Sequence, residues 1–229
     1  MTLLAAALVV VLVRAFLVQT FVIPSGSMEP GLQVGDRVVV SRLDYRFRDV
    51  RRGDVIVFDG DGVFTPARTQ GPALVEAARA VAQAFGGPVG ASDFVKRVVG
   101  VGGDHVVCCD DQGRVTVNDR PLDEPYVYPG DDASAVEFDV TVPAGHLWVM
   151  GDHRSSSADS REHLGDPGGG MVPVDRVVGR VVAVWWPWSR ATGVGRATAE
   201  PGVTPRVSLG APRTDIATGP WAPHERSPE

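Results

Sequence analysis

The sequence predicts a mainly β domain of antiparallel strands. Three observations carry that prediction. Short β-branched runs recur along the chain, turn residues separate them (Gly 27 and Pro 18 among 229 residues), and one run alternates apolar and polar residues with period two. In order, RVVVSRL (37–43) and DVIVF (54–58) flank a polar loop ending in RRGD, and FVKRVVGV (94–101) and HVVCCD (105–110) flank GGD. RVTVN (114–118) follows the turn DDQG, which forms a hairpin with the run before it. VEFDVTV (136–142) sets Val136, Phe138, Val140 and Val142 on one face and Glu137, Asp139 and Thr141 on the other, a half-buried strand. HLWVMGD (146–152) follows VPAG, and RVVGRVVAVWW (176–186) closes the series.

Three segments break the rhythm. Residues 3–13 read LLAAALVVVLV, then Arg14 and AFLV. A cleaved leader has a positive n-region and a small-x-small exit, whereas FLVQTFVIP is bulky. The run is shorter than the roughly 20 apolar residues of a spanning helix unless Arg14 snorkels to an interface or the chain starts upstream. The reading is an uncleaved transmembrane anchor over 1–20, with the rest of the chain on one side; the alternative is a buried core helix. ALVEAARAVAQAF (73–85) carries Glu76, Arg79 and Gln83 as a narrow polar stripe at helical spacing. It is expected as a helical insertion within 59–93. From 190 to 229 the chain is rich in Pro, Gly, Thr and Ala without apolar period, so a disordered tail is expected after a β-rich domain over 21–189.

A formal net charge of −6 argues against nucleic-acid binding, which needs a basic face. Cys108 and Cys109 are adjacent, so strand alternation points them to opposite faces, and they are read as ordinary strand residues rather than a bridge or zinc ligands.

IPSGSMEP (23–30) places Ser25 and Ser27 in a Pro/Gly-rich turn. A serine hydroxyl needs a base to become a nucleophile. A triad of Ser27, His153 and Asp159 is one option, without support from local spacing. The other is lysine, and the chain has one: Lys96, inside FVKRVVGV. Burial there would disfavour its charged form and lower its pKa from about 10.4; pointing outward, it would only solubilise the sheet.

IPSGSMEP, GDRVVV, RGDVIVF, KRVVGVGGD and GDHRSSSADSR, in this order over residues 16–188, resemble the motif series of bacterial type I signal peptidases. The resemblance implies a membrane-anchored serine protease with a Ser-Lys dyad and a signal-peptidase-like antiparallel β catalytic domain. It makes Ser27 the nucleophile and Lys96 the general base, with the Ser25 hydroxyl and the Ser27 backbone N–H as the oxyanion hole. It also makes Ser157 a hydroxyl that orients the lysine, Asp159 and Arg161 a supporting ion pair, and Met28 a lining of the substrate cleft. The chain departs from the pattern at His153, where the family has Asn, and at Gly102, where it has Pro.

The implied substrates are secretory preproteins cut after small residues, outside the cytoplasmic membrane, with no metal or other cofactor. The implied partners include membrane lipid, touched by residues 15–24 and by Trp185, Trp186 and Trp188, which could equally be packing residues. Two rivals are a self-cleaving repressor, which needs a DNA-binding module, and a tethered scaffold on an inactive protease fold, against which Ser27, Lys96 and Ser157 together speak.

Overall fold

The computed structural model describes residues 18–66 and 92–196, and it is mainly β and antiparallel. The larger sheet joins β1 (Val18–Val22), β2 (Arg37–Ser41), β3 (Val55–Asp59), β4 (Asp93–Val101), β9 (His146–Met150), β10 (Val172–Pro173), β11 (Val177–Trp186) and β12 (Thr192–Gly193). Its order is β1-β2-β11-β3-β4-β9-β10, with β12 on β11. The smaller sheet has β5 (His105–Cys108), β6 (Thr116–Val117), β7 (Arg120–Pro121) and β8 (Phe138–Thr141) in the order β7-β6-β5-β8. A single helical turn, α1 (Asp44–Phe47), follows β2.

Strand β3 shows why its sequence does not alternate. Val55 and Val57 enter a core with Phe21, Ile23, Met28, Val38, Val40 and Val181, while Ile56 and Phe58 enter another with Val98, Leu147 and Val149. Both faces of the strand are covered, so an unbroken apolar run is the stable choice. A third core, between the sheets, gathers Val99, Val106, Val117, Phe138, Val142, Trp148 and Met150. The sheets approach closely at Gly100, where a Cβ would lie 2.6 Å from Val106 Cγ2.

Several sequence expectations change. Residues 18–20, placed in the anchor, pair with β2 as strand, because Val18–Val22 finds an antiparallel partner in Arg37–Ser41; residues 1–17 lie outside the described residues. Among the described residues no helix is long and apolar enough to cross a membrane. The helix expected at 73–85 also lies outside them. Strand β8 is shorter than its run, and Val136 is exposed.

Of the tail expected over 190–229, residues 197–229 lie outside the described residues, and residues 190–196 are held against the sheet. Thr192–Gly193 pairs with β11, the Val194 N–H donates to the Val182 carbonyl (2.8 Å), and Arg196 Nε donates to Asp54 Oδ1 (2.8 Å). Asp54 is buried, so its carboxylate needs such a cation. Cys108 and Cys109 form a disulfide with each other. Strand β5 ends at Cys108, so the alternation that would separate the thiols does not extend to Cys109.

Trp148 is fully buried and packs against Phe138 at 5.2 Å between ring centroids. Trp148→Ala is expected to cost about 3–5 kcal/mol, read as a lower urea midpoint. A loss below about 0.5 kcal/mol, the size of a surface change, would contradict this packing.

Candidate active site

The turn carrying Ser25 and Ser27 leaves β1 and is tied down at both ends. The Ile23 N–H donates to the Asp36 carbonyl (2.8 Å), the Gly35 N–H to the Ile23 carbonyl (2.9 Å), and the Leu32 N–H to the Met28 carbonyl (2.9 Å). Met28 is 1% exposed and plugs the core beneath the turn. A thioether after an apolar strand is drawn into that core, so Met28 sits at the base of the turn. The plug leaves Ser27 above it with its Oγ directed to Lys96, and Ser25 Oγ lies 3.4 Å from Ser27 Oγ.

Lys96 reaches the turn from the middle of β4. Its Nζ is 2.8 Å from Ser27 Oγ, across 69 residues of sequence, and the lysine is 3% exposed. Burial lowers its pKa to about 8, partly opposed by the carboxylates of Asp159 and Asp152. The pair therefore joins a hydroxyl to an amine that sheds its proton near neutrality, an arrangement suited to activating a nucleophile.

Residues 151–161 run beside Ser27, and the charges of Asp152, Asp159 and Arg161 act on Lys96. Asp159 takes two hydrogen bonds from the Arg161 guanidinium (both 2.8 Å), one from the Arg161 N–H (3.2 Å), one from the Gly151 N–H (2.9 Å) and one from the Ser157 hydroxyl (2.8 Å). Burial alone would raise the pKa of Asp159, yet these donors hold it below the usual carboxylate range. Ser157 thus gives its proton to Asp159, while its oxygen keeps lone pairs for another donor. Gly151 is required by space: a Cβ there would lie 2.2 Å from Ser157 Oγ and 2.6 Å from the Ser27 carbonyl oxygen.

The histidine alternative finds no geometry. The His153 N–H donates to the Ser27 carbonyl (3.1 Å), but its ring stacks on Tyr128 at 4.0 Å, and its buried Nδ1 has no partner. Among the described residues its ring hydrogen-bonds neither Ser27 nor Asp159, whose carboxylate serves Arg161 and Ser157. At Gly102 a Cβ would meet the Pro143 carbonyl oxygen at 3.1 Å. Among the described residues no group of three or more His, Cys, Asp or Glu is placed to hold a metal ion.

Sequence reasoning missed two buried ion pairs beside the site. Arg97, next to Lys96 but on the opposite face of β4, binds Asp152 through Nε and Nη2 (2.7 and 2.6 Å) and lies over the Tyr126 ring at 4.0 Å. Arg154 binds Glu124 (2.6 Å) and donates to the Gly151 carbonyl (2.9 Å). Arg97 had a usable signal, since a guanidinium inside an apolar strand needs a carboxylate. Glu124, in an irregular segment, had none.

A family model described as signal peptidase, peptidase S26, matches residues 1–186. A probable signal peptidase I of Mycobacterium leprae is 40% identical over 217 residues, covering 82% of this chain and 75% of that protein. A signal peptidase I of Mycobacterium tuberculosis is 42% identical over 198 residues, covering 76% of this chain and 67% of the relative. Among solved structures, a signal peptidase I of Enterococcus faecalis superposes with a TM-score of 0.37 at 22% identity, covering 58% of this chain and 97% of that one, a likeness too slight to carry weight.

Lys96 is the single lysine of the chain, so 13C-lysine labelling leaves one side chain to follow by NMR. Its Cε resonance is expected to titrate at about 8. A midpoint near the exposed value of about 10.4 would contradict the burial.

Proposed function

This chain belongs to the type I signal peptidases, serine peptidases of family S26, and we propose that its reaction runs through Ser27 and Lys96. The observation that carries the reading is the buried 2.8 Å contact between Lys96 Nζ and Ser27 Oγ. Signal peptidase I acts on preproteins bearing signal peptides. Neutral Lys96 takes the Ser27 proton as Oγ attacks the scissile carbonyl carbon. The resulting oxyanion is held by the Ser25 hydroxyl and the Ser27 backbone N–H.

The lysine ammonium returns its proton to the leaving amine of the mature chain. Water, deprotonated by the now neutral Lys96, then releases the signal peptide from the acyl-enzyme and restores the Ser27 hydroxyl. Ser157 aims the amine, its own proton held by Asp159, and Arg161 fixes Asp159. Small residues at the first and third positions before the cut are accepted because larger side chains clash with shallow pockets. Met28, at the base of the Ser27 turn, lines the substrate cleft.

The finer placement is also a proposal: an N-terminal anchor in the membrane, with the catalytic domain on its extracytoplasmic side. Exposed Val22, Trp186 and Trp188 support it, because Val22 and Trp186 both pair with Arg37 and so share one end of the sheet, close to Ser27. Trp favours the headgroup layer, although Trp185 contributes less, its indole nitrogen being buried.

With a preprotein as substrate, Ser27→Ala and Lys96→Ala are each expected to lower kcat/KM by at least about 100-fold. The wild-type rate should fall about tenfold per pH unit below the Lys96 pKa of about 8, because only the neutral amine accepts the proton. Both variants cutting at the normal rate would overturn the dyad. In cells making the full chain, the protein is expected in the membrane pellet and to resist carbonate extraction. Release by carbonate would contradict the anchor.

A further inference from the structure

Burial of Lys96 has a structural source outside the motifs. Phe94 precedes it by two residues on the same face of β4, and its ring centroid lies 6.0 Å from Nζ. That is the outer limit of cation–π attraction, about 6 Å, so the ring acts on the amine chiefly by excluding water. Phe94 is itself only partly buried and must be held. Phe58 stacks on it at 5.8 Å, and Phe64 meets it edge-on at 5.4 Å. The Phe58 and Phe64 rings lie 5.3 Å apart and close the triangle.

Phe64 arrives from the turn after β3, where the Gly60 carbonyl accepts the N–H groups of Val63, Phe64 and Thr65. Gly60 leaves room for the ring of Phe94, from which a Cβ would be only 2.6 Å away. The other side of Phe64 is covered by His163, whose ring stacks at 4.4 Å with an interplanar angle of 12°. Asp166 Oδ2 holds His163 Nδ1 at 2.7 Å. His163 follows Arg161 by two residues, on the loop that carries Ser157 and Asp159.

We propose that Phe64 and His163 are positioning residues for Lys96: His163 clamps Phe64, Phe64 fixes Phe94, and Phe94 keeps water from the amine. The proposal rests on the reading of Lys96 as the base. One loop then acts on the amine in opposite senses. Its carboxylates, Asp159, Asp152 and Glu162, favour the ammonium, and Arg161 opposes it. Through His163 the same loop supports the apolar wall, which favours the neutral amine.

Two readouts on the full chain test this: the 13C titration of the single lysine, and the pH dependence of kcat/KM for preprotein cleavage. Phe64→Ala is expected to raise the Lys96 midpoint by about one pH unit as water enters, and to move the acid limb of the rate equally. His163→Ala should act in the same direction but less. His163→Phe, which keeps a flat ring on Phe64, should restore the wild-type midpoint. If Phe64→Ala does not fold, Phe64→Leu carries the test with a smaller upward shift. An unmoved midpoint in the Phe64 variants, with activity lowered evenly at all pH values, would overturn the proposal. A midpoint that moves without the acid limb upholds the wall and refutes Lys96 as the base.

Discussion

Lys96 brings an amine into a place that is 3% exposed, 2.8 Å from a serine hydroxyl. Removing water from an ammonium is costly, so the amine gives up its proton far more readily than a surface lysine. That contact demands much of the fold. Strand β4 must hold its register against β3 and β9, and the Ser27 turn must be tied to it from β1, a strand four places away in the sheet. The apolar cover must also persist while three carboxylates, on Asp152, Asp159 and Glu162, pull the other way.

The segment from 151 to 161 meets these demands with charge that is almost wholly internal. Arg97–Asp152, Arg154–Glu124 and Arg161–Asp159 are each largely buried. Such pairs add little net stability compared with apolar packing, yet removing one partner costs about 3–5 kcal/mol by stranding the other. Their value here is geometric: each fixes one point of a loop that has little regular structure. Gly151 sits where these points converge, with its N–H on Asp159, its carbonyl on Arg154, and no room for a side chain beside Ser27 and Ser157.

The strands, the hairpin after β5 and the two residues of the buried Ser27–Lys96 contact were legible in the sequence, for distinct physical reasons. Strand periodicity is local, and a lone lysine inside an apolar run is chemically conspicuous. The ordered motifs then linked Ser27 to Lys96, which no local rule could do across 69 positions. What stayed hidden depends on tertiary partners. Val18–Val22 reads as the end of an apolar run until β2 supplies its hydrogen bonds. Thr192–Gly193 is too short to signal itself and gains order only from β11 and from the Arg196–Asp54 pair beyond it. The burial of Met28 is set by the core below the turn, which the motif around Ser27 does not reveal.

The central claim, that Lys96 makes Ser27 the nucleophile, is tested most directly by covalent trapping. A signal-peptide-like peptide ending in an alanine diphenyl phosphonate phosphonylates an activated serine, and peptide mapping by mass spectrometry locates the adduct. The account predicts one adduct, on Ser27, lost in Lys96→Ala and forming faster as the pH rises through about 8. An adduct on another serine, such as Ser157, or undiminished labelling in Lys96→Ala, would contradict it.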